Sequence, residues 1–162
     1  GGGGLISLPA LLLSGMPVTM ALGTNKLQGA IGTFSAVIKY YGHGLLEIEP
    51  LIKGLIFGFI GASLGTLSAV WLHPLILEKF IPFLLLLILL SITFSPRLGL
   101  DEKKSKLTPQ KFYLYFGFSL GFYDGFLGPA TGTFWVFALV YFLGFHFAKA
   151  SAYAKIFNLK SN

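Results

Sequence analysis

The chain has 162 residues, 54% of them hydrophobic and 11% charged, with a net charge of +6. A soluble domain carries about 25% charged residues, so this composition argues against an ordinary soluble fold and for a membrane protein. With no cysteine, disulfides, thiolate metal sites and a cysteine nucleophile are excluded. The positive balance does not signal nucleic acid, because the basic residues gather in links between apolar stretches.

The first apolar segment, about Gly4 to Gly15, is too short to cross a bilayer core. It reads as a half-helix whose start is freed by Gly1, Gly2, Gly3 and Gly4. A second helix is predicted from near Pro17 to Tyr40. Asn25, Gly29, Gly32 and Ala36 fall on one face of it, the spacing of a close helix contact. A polar link, "KYYGHGLLEIEP", leads to a third helix from about Leu51 to Trp71. Gly54, Gly58, Gly61 and Gly65 form a second small-residue stripe there. The fourth helix, roughly Leu75 to Phe94, has almost no polar face after Pro82 and is expected to meet lipid. "SPRLGLDEKKSKLTPQK" follows, with Arg97, Lys103, Lys104, Lys106 and Lys111 outnumbering Asp101 and Glu102. The positive-inside rule makes this loop, 96–111, cytoplasmic. Phe112 to Tyr123 is another short apolar piece, ended by "GFYDGFLGPATGTFW". A longer one runs to Phe145 before the closing "HFAKASAYAKIFNLKSN". Unalternating apolar runs of this kind are helices, not barrel strands.

A shift of 129 positions lays Gly3 on Gly132, Gly15 on Gly144, Ala21 on Ala150 and Lys26 on Lys155. Each copy has a glycine cluster, a short apolar piece and a helix entered through Gly, Ala and Lys. Broken helices at corresponding positions are a recurrent build of secondary transporters. Glycine and proline stop a helix within the membrane and leave backbone N–H donors at a half-helix start, which suit an anion. Such breaks must face protein or a water-filled cavity. The expectation is therefore an all-α polytopic membrane protein with two internal repeats and discontinuous helices. The first repeat, N-terminally truncated, covers 1–111 and the start of the second 112–162, so the chain reads as part of a longer protein. The number of crossings between the repeats, and hence whether they are parallel or inverted, is left open.

"GGGGLISLPALLLSGMPVTMALGTNKLQG" and "GFYDGFLGPATGTFWVFALVYFLGFHFAKASAYAKIFNLKSN" closely resemble the two signature halves of the TauE/SafE sulfite exporter family, also called the TSUP permeases. The resemblance covers a little under half of the chain. It implies a multi-pass protein of a bacterial or archaeal inner membrane that moves sulfite or organosulfur anions such as sulfonates; no cofactor is expected. One departure is visible: Ala130 stands where the family often has glycine in "GPGTG", and alanine still allows close packing.

For anion contact the first choice is Gly2, Gly3, Gly4, Gly128 and Gly132 with the hydroxyls of Thr131 and Thr133, since an oxyanion needs several donors. The same glycines also suit plain helix packing. Thr24, Asn25 and Lys26 come next, because polar groups at membrane depth are costly. Lys26 and Lys155 either neutralise an anion or snorkel to the interface; Lys149, without a repeat counterpart, suits snorkelling better. Asn158 and Asn162 cap, bridge helices or line the site. Asp124, placed between apolar pieces, either caps the next half-helix or carries a coupled proton. His43, His73 and His146 are isolated, which speaks against a metal site. "GASLG" (Gly61 to Gly65) has the letters of a hydrolase elbow but lies in a helix where the elbow needs a strand. The function expected is a permease for a small sulfur-containing anion working by alternating access. An anion channel is the alternative; an intramembrane enzyme is a weaker one, for want of a nucleophile with a base in reach.

Overall fold

The computed structural model describes residues 3–41, 48–93 and 104–161. The expectations for Gly1, Gly2, His43, Asn162 and the first half of the basic loop, 96–103, fall outside them. The described residues are helical: α1 (Gly3–Leu13), α2 (Val18–Tyr41), α3 (Ile48–Trp71), α4 (Pro74–Thr93), α5 (Pro109–Phe112), α6 (Phe118–Phe126), α7 (Thr131–Leu143) and α8 (Phe147–Ser161). A π-helical segment, Tyr113–Gly117, joins α5 to α6, so the short apolar piece is one rod from Pro109 to Phe126.

Two short helices carry the interruptions. At 1.5 Å per residue, α1 and α7 reach only about 16 and about 20 Å, short of a bilayer core of ~30 Å. Each ends on a glycine in the left-handed region, Gly15 (φ 82°) and Gly144 (φ 72°), which lets the chain turn sharply into the next helix. At the first turn the Gly15 and Met16 amides donate back to the Leu12 and Leu11 carbonyls (3.0 and 3.3 Å). The second turn leads to His146, whose Nδ1 accepts the Lys149 amide (3.3 Å) at the start of α8. His73 does the same for Leu75 at the start of α4 (3.4 Å). Two of the three isolated histidines are thus helix caps.

The two small-residue stripes have different fates. The α3 stripe packs backbone to backbone on the rod. An added Cβ on Gly61 would lie 2.8 Å from the Phe122 amide nitrogen. On Gly65 it would lie 2.8 Å from that of Phe126, and on Gly121 2.8 Å from Gly58 Cα. Only glycine permits this approach. Gly61 to Gly65 therefore belongs to a helical seam, which removes Ser63 as an elbow nucleophile. On the α2 stripe Gly32 makes no such contact, having open space on its Cα, and the face it shares with Asn25 and Gly29 walls a cavity.

Two apolar cores flank that cavity. Phe112, Tyr113, Trp135, Leu139, Tyr153 and Phe157 fill one, between the rod, α7 and α8. Leu8, Val18, Ala21 and Leu22 fill the other with Leu77, Ile81 and Leu127. The α4 helix thus buries Leu77 and Ile81 and leaves Phe83, Leu86 and Leu90 exposed. Large apolar side chains are exposed along α2 and α3 as well, among them Leu27, Ile31, Phe34, Ile52, Phe59 and Leu67. On a water-soluble monomer so extensive an apolar surface would be anomalous; in a bilayer it is the expected surface. By length and composition, Leu51–Trp71 is the one described helix long and apolar enough to cross a membrane.

Candidate functional site

The break between α6 and α7 follows from its sequence. Pro129 has no N–H to continue the helix, and Gly128 and Ala130 both take positive φ, 89° and 62°. Stopping a helix here strands its last carbonyls, which must find donors away from water. The Leu127 and Gly128 amides both return to the Tyr123 carbonyl (2.9 and 3.3 Å). The Asp124 and Gly125 carbonyls are taken instead by Lys26 Nζ, reaching over from α2 at 2.6 and 2.9 Å. Thr66 Oγ1, from α3, donates to the Gly125 carbonyl as well (3.1 Å). The Tyr123 hydroxyl donates to the Pro129 carbonyl (2.8 Å). The Thr131 hydroxyl lies 2.7 Å from the Gly128 carbonyl and 3.0 Å from Asp124 Oδ1. Asp124 and Thr131 are each 1% exposed, so this network is sealed.

The cavity lies beside the break. It measures about 260 Å³ and is bounded by Gly4 and Ser7 of α1, by one face of α2, by Gly128 and Ala130, and by Lys155 and Asn158 of α8. The α2 face presents Asn25, Gln28, Gly29, Gly32 and Thr33, the i, i+3, i+4, i+7, i+8 pattern of a single helix side. The two interruptions meet here: a Cβ on Gly4 would stand 3.5 Å from Pro129 Cα. Asn25 ties the first of them down, its Oδ1 accepting the Ser7 hydroxyl at 2.6 Å. Lys155 makes no hydrogen bond or ion pair with a described residue.

Among the residues singled out from sequence, Gly4, Asn25, Gly128, Lys155 and Asn158 line this cavity. Gly3 opens α1. Others are placed elsewhere. Lys26 neither faces the cavity nor snorkels; its charge is spent on two main-chain carbonyls at a helix C-terminus, where a cation is favoured. Thr24 is exposed on another side of α2, its hydroxyl 3.8 Å from Met16 Sδ. Thr131 and Gly132 are buried behind the break and Thr133 is half-buried; the Thr133 amide bonds to the Ala130 carbonyl (2.8 Å). The start of α7 is met by the Asp124 carboxylate and is not part of the cavity wall. Asp124 thus stands at that helix start from seven residues upstream, while the N-cap position itself is Ala130, which makes no side-chain cap. Ala130 holds a left-handed φ of 62°, so the alanine expected to matter only for packing also sits in a conformation that glycine adopts more readily. Ser7, Gln28 and Thr33 in the cavity, and Thr66 and Tyr123 at the break, were not singled out. The polar periodicity of α2 carried the signal for Gln28 and Thr33; nothing local carried it for Thr66.

The family model of the sulfite exporter TauE/SafE proteins matches residues 1–162. A probable membrane transporter protein of Haemophilus influenzae is 45% identical over all of this chain, which covers 64% of that relative. The probable membrane transporter protein ORF9 of a Sinorhizobium species is 39% identical, with 62% of it covered. The probable membrane transporter protein YfcA of Escherichia coli K12 is 37% identical, with 60% covered. The chain therefore spans just under two thirds of the length of these relatives, whose names are those of membrane transporters and not of enzymes. No solved structure matches it. An all-α chain matched from end to end, with interrupted helices meeting at a polar cavity, belongs to the sulfite exporter TauE/SafE family of membrane proteins.

Proposed function

We propose that the full-length protein is a multi-pass inner-membrane permease that moves a small sulfur-containing anion, such as sulfite or a sulfonate, by alternating access to this cavity. The observation that carries the reading is Lys155, a cation without a partner among the described residues, on the wall of a cavity where two interrupted helices meet. An amide and hydroxyl lining supplies donors for oxyanion oxygens without further buried charge. The shift of 129 positions supports an internal repeat. It carries the bounds of α1 onto 132–142, inside α7, and the first residue of α2 onto the first of α8. In secondary transporters built from repeats, one repeat or bundle rocks against the other around such a site.

The test is uptake of labelled sulfite into vesicles containing the full-length protein. Lys155→Ala should reduce uptake severely at unchanged membrane insertion; unchanged kinetics would overturn the reading. Saturation and counterflow should be observed, where a channel would show neither. Proton coupling belongs to the same reading through Asp124, the one buried carboxylate among the described side chains. A substrate gradient that moves no protons would remove it.

A further inference from the structure

We propose that the cavity is matched to a solute bearing a single negative charge and discriminates against doubly charged oxyanions. This rests on the anion-permease reading above and adds a charge rule to it. Among the described residues that line the cavity, Lys155 is the only one that ionises; the rest are glycine, alanine, hydroxyls and amides. The charges just behind the wall compensate one another. Asp124 and Lys26 flank Gly128, where an added Cβ would lie 3.4 Å from Asp124 Oδ1 and 4.0 Å from Lys26 Cε. Of the other two lysines of α8, Lys149 lies over the Phe145 ring (4.7 Å), and Lys160 is turned to α3, where its Nζ donates to the Gly54 carbonyl (3.2 Å). The described lining of the cavity therefore carries one charge, and it is positive.

The neutral donors are arranged for an acceptor-rich guest. The Ser7 hydroxyl holds Asn25 Oδ1 as an acceptor (2.6 Å), which leaves the Asn25 NH2 as donor. Asn25 is 8% exposed, and no described residue accepts a hydrogen bond from that NH2. It lies 3.2 Å from a Cβ built on Gly4, at the meeting of the two interruptions. A singly charged sulfonate between Lys155 and Asn25 brings the site to neutrality. A dianion of the same size leaves one uncompensated negative charge among apolar helices, a placement that desolvation opposes.

The test uses purified full-length protein and two probes of nearly equal size, methanesulfonate (one negative charge) and sulfate (two), with binding measured by calorimetry at constant ionic strength. Methanesulfonate should bind roughly tenfold or more tighter than sulfate. Gln28→Lys, at an exposed position on the same wall, adds a second cation and should reverse or erase that preference. Equal or tighter binding of sulfate by the unmodified protein, with both anions weakened by Lys155→Gln, overturns the charge rule and leaves the anion site standing. Binding of neither probe, or binding indifferent to Lys155→Gln, overturns the anion site and the rule with it. A Gln28→Lys protein that binds methanesulfonate normally and gains no affinity for sulfate also overturns the rule.

Discussion

Gly121→Ala tests whether the rod and α3 are held by backbone contact. A methyl at this position would sit 2.8 Å from Gly58 Cα and 2.9 Å from its carbonyl carbon. Carbon atoms pack best at ~3.5–4.0 Å, so the helices must part by about 0.7 Å or more. No side chain can rotate away, because the obstacle is main chain. Parting them also loosens the neighbouring contacts of Gly61 with Phe122, Gly65 with Phe126 and Gly125 with Ala62. Overpacking of this kind costs about 1–3 kcal/mol. The assay is the unfolding midpoint of the full-length protein in mild detergent. Gly23→Ala is the control: Gly23 has open space on its Cα, and alanine there should be neutral or slightly stabilising. The seam also predicts coupling, since helices already parted by one methyl lose less to a second. Gly61→Ala with Gly121→Ala should therefore cost less than the two single changes together. A Gly121→Ala protein as stable as the Gly23→Ala control would refute the backbone seam.

Lys26→Met removes the donor shared by the Asp124 and Gly125 carbonyls and should destabilise the fold by about 1–3 kcal/mol, with Lys26→Arg recovering part of it. Lys155→Met, by contrast, should stay within about 0.5 kcal/mol of the parent in the same melt; equal losses at both positions would contradict the division of labour between the two lysines. Ala130→Gly relieves a left-handed backbone and should raise stability by about 1 kcal/mol, read from the same unfolding midpoint; a loss would mean that the methyl contributes packing worth more than the strain. Thr131→Val keeps the shape and deletes the hydroxyl between Asp124 and the Gly128 carbonyl. It should cost about 1–3 kcal/mol, and a neutral result would show that this hydroxyl bond contributes little.

Most of the helical architecture was legible because it is a matter of local chemistry. Gly15 with Pro17, and Gly128 with Pro129, stop helices whatever surrounds them, and the predicted segments match the observed helices closely. The continuity of the rod was harder to read, because the π-helical segment at Tyr113–Gly117 leaves no breaker residue behind it. The site was legible only in part. The stripes on α2 and α3 have the same four, three, four spacing, yet one is a packing seam and the other a cavity wall. That difference depends on which helix lies opposite, and spacing does not encode it. The signal that did separate them was polar: the α2 face carries Asn25, Gln28 and Thr33 among its small residues, and the α3 stripe only Thr66 beside Gly65.

Lys26 and Lys155, 129 positions apart, are placed differently in the fold, and the backbone explains why. A helix broken inside a membrane leaves carbonyls that nothing in lipid can satisfy, so that demand is met before any solute is bound. Lys26 faces the C-terminal turn of α6 and is committed to it. The start of α7 is likewise met from within the protein, by Asp124 and Thr131. A half-helix end is therefore not a vacant ion site merely because its dipole points inward. Positive charge stays available to a solute only where a lysine faces the cavity and no stranded carbonyl is within its reach. Among the described residues, Lys155 is the cation that meets both conditions.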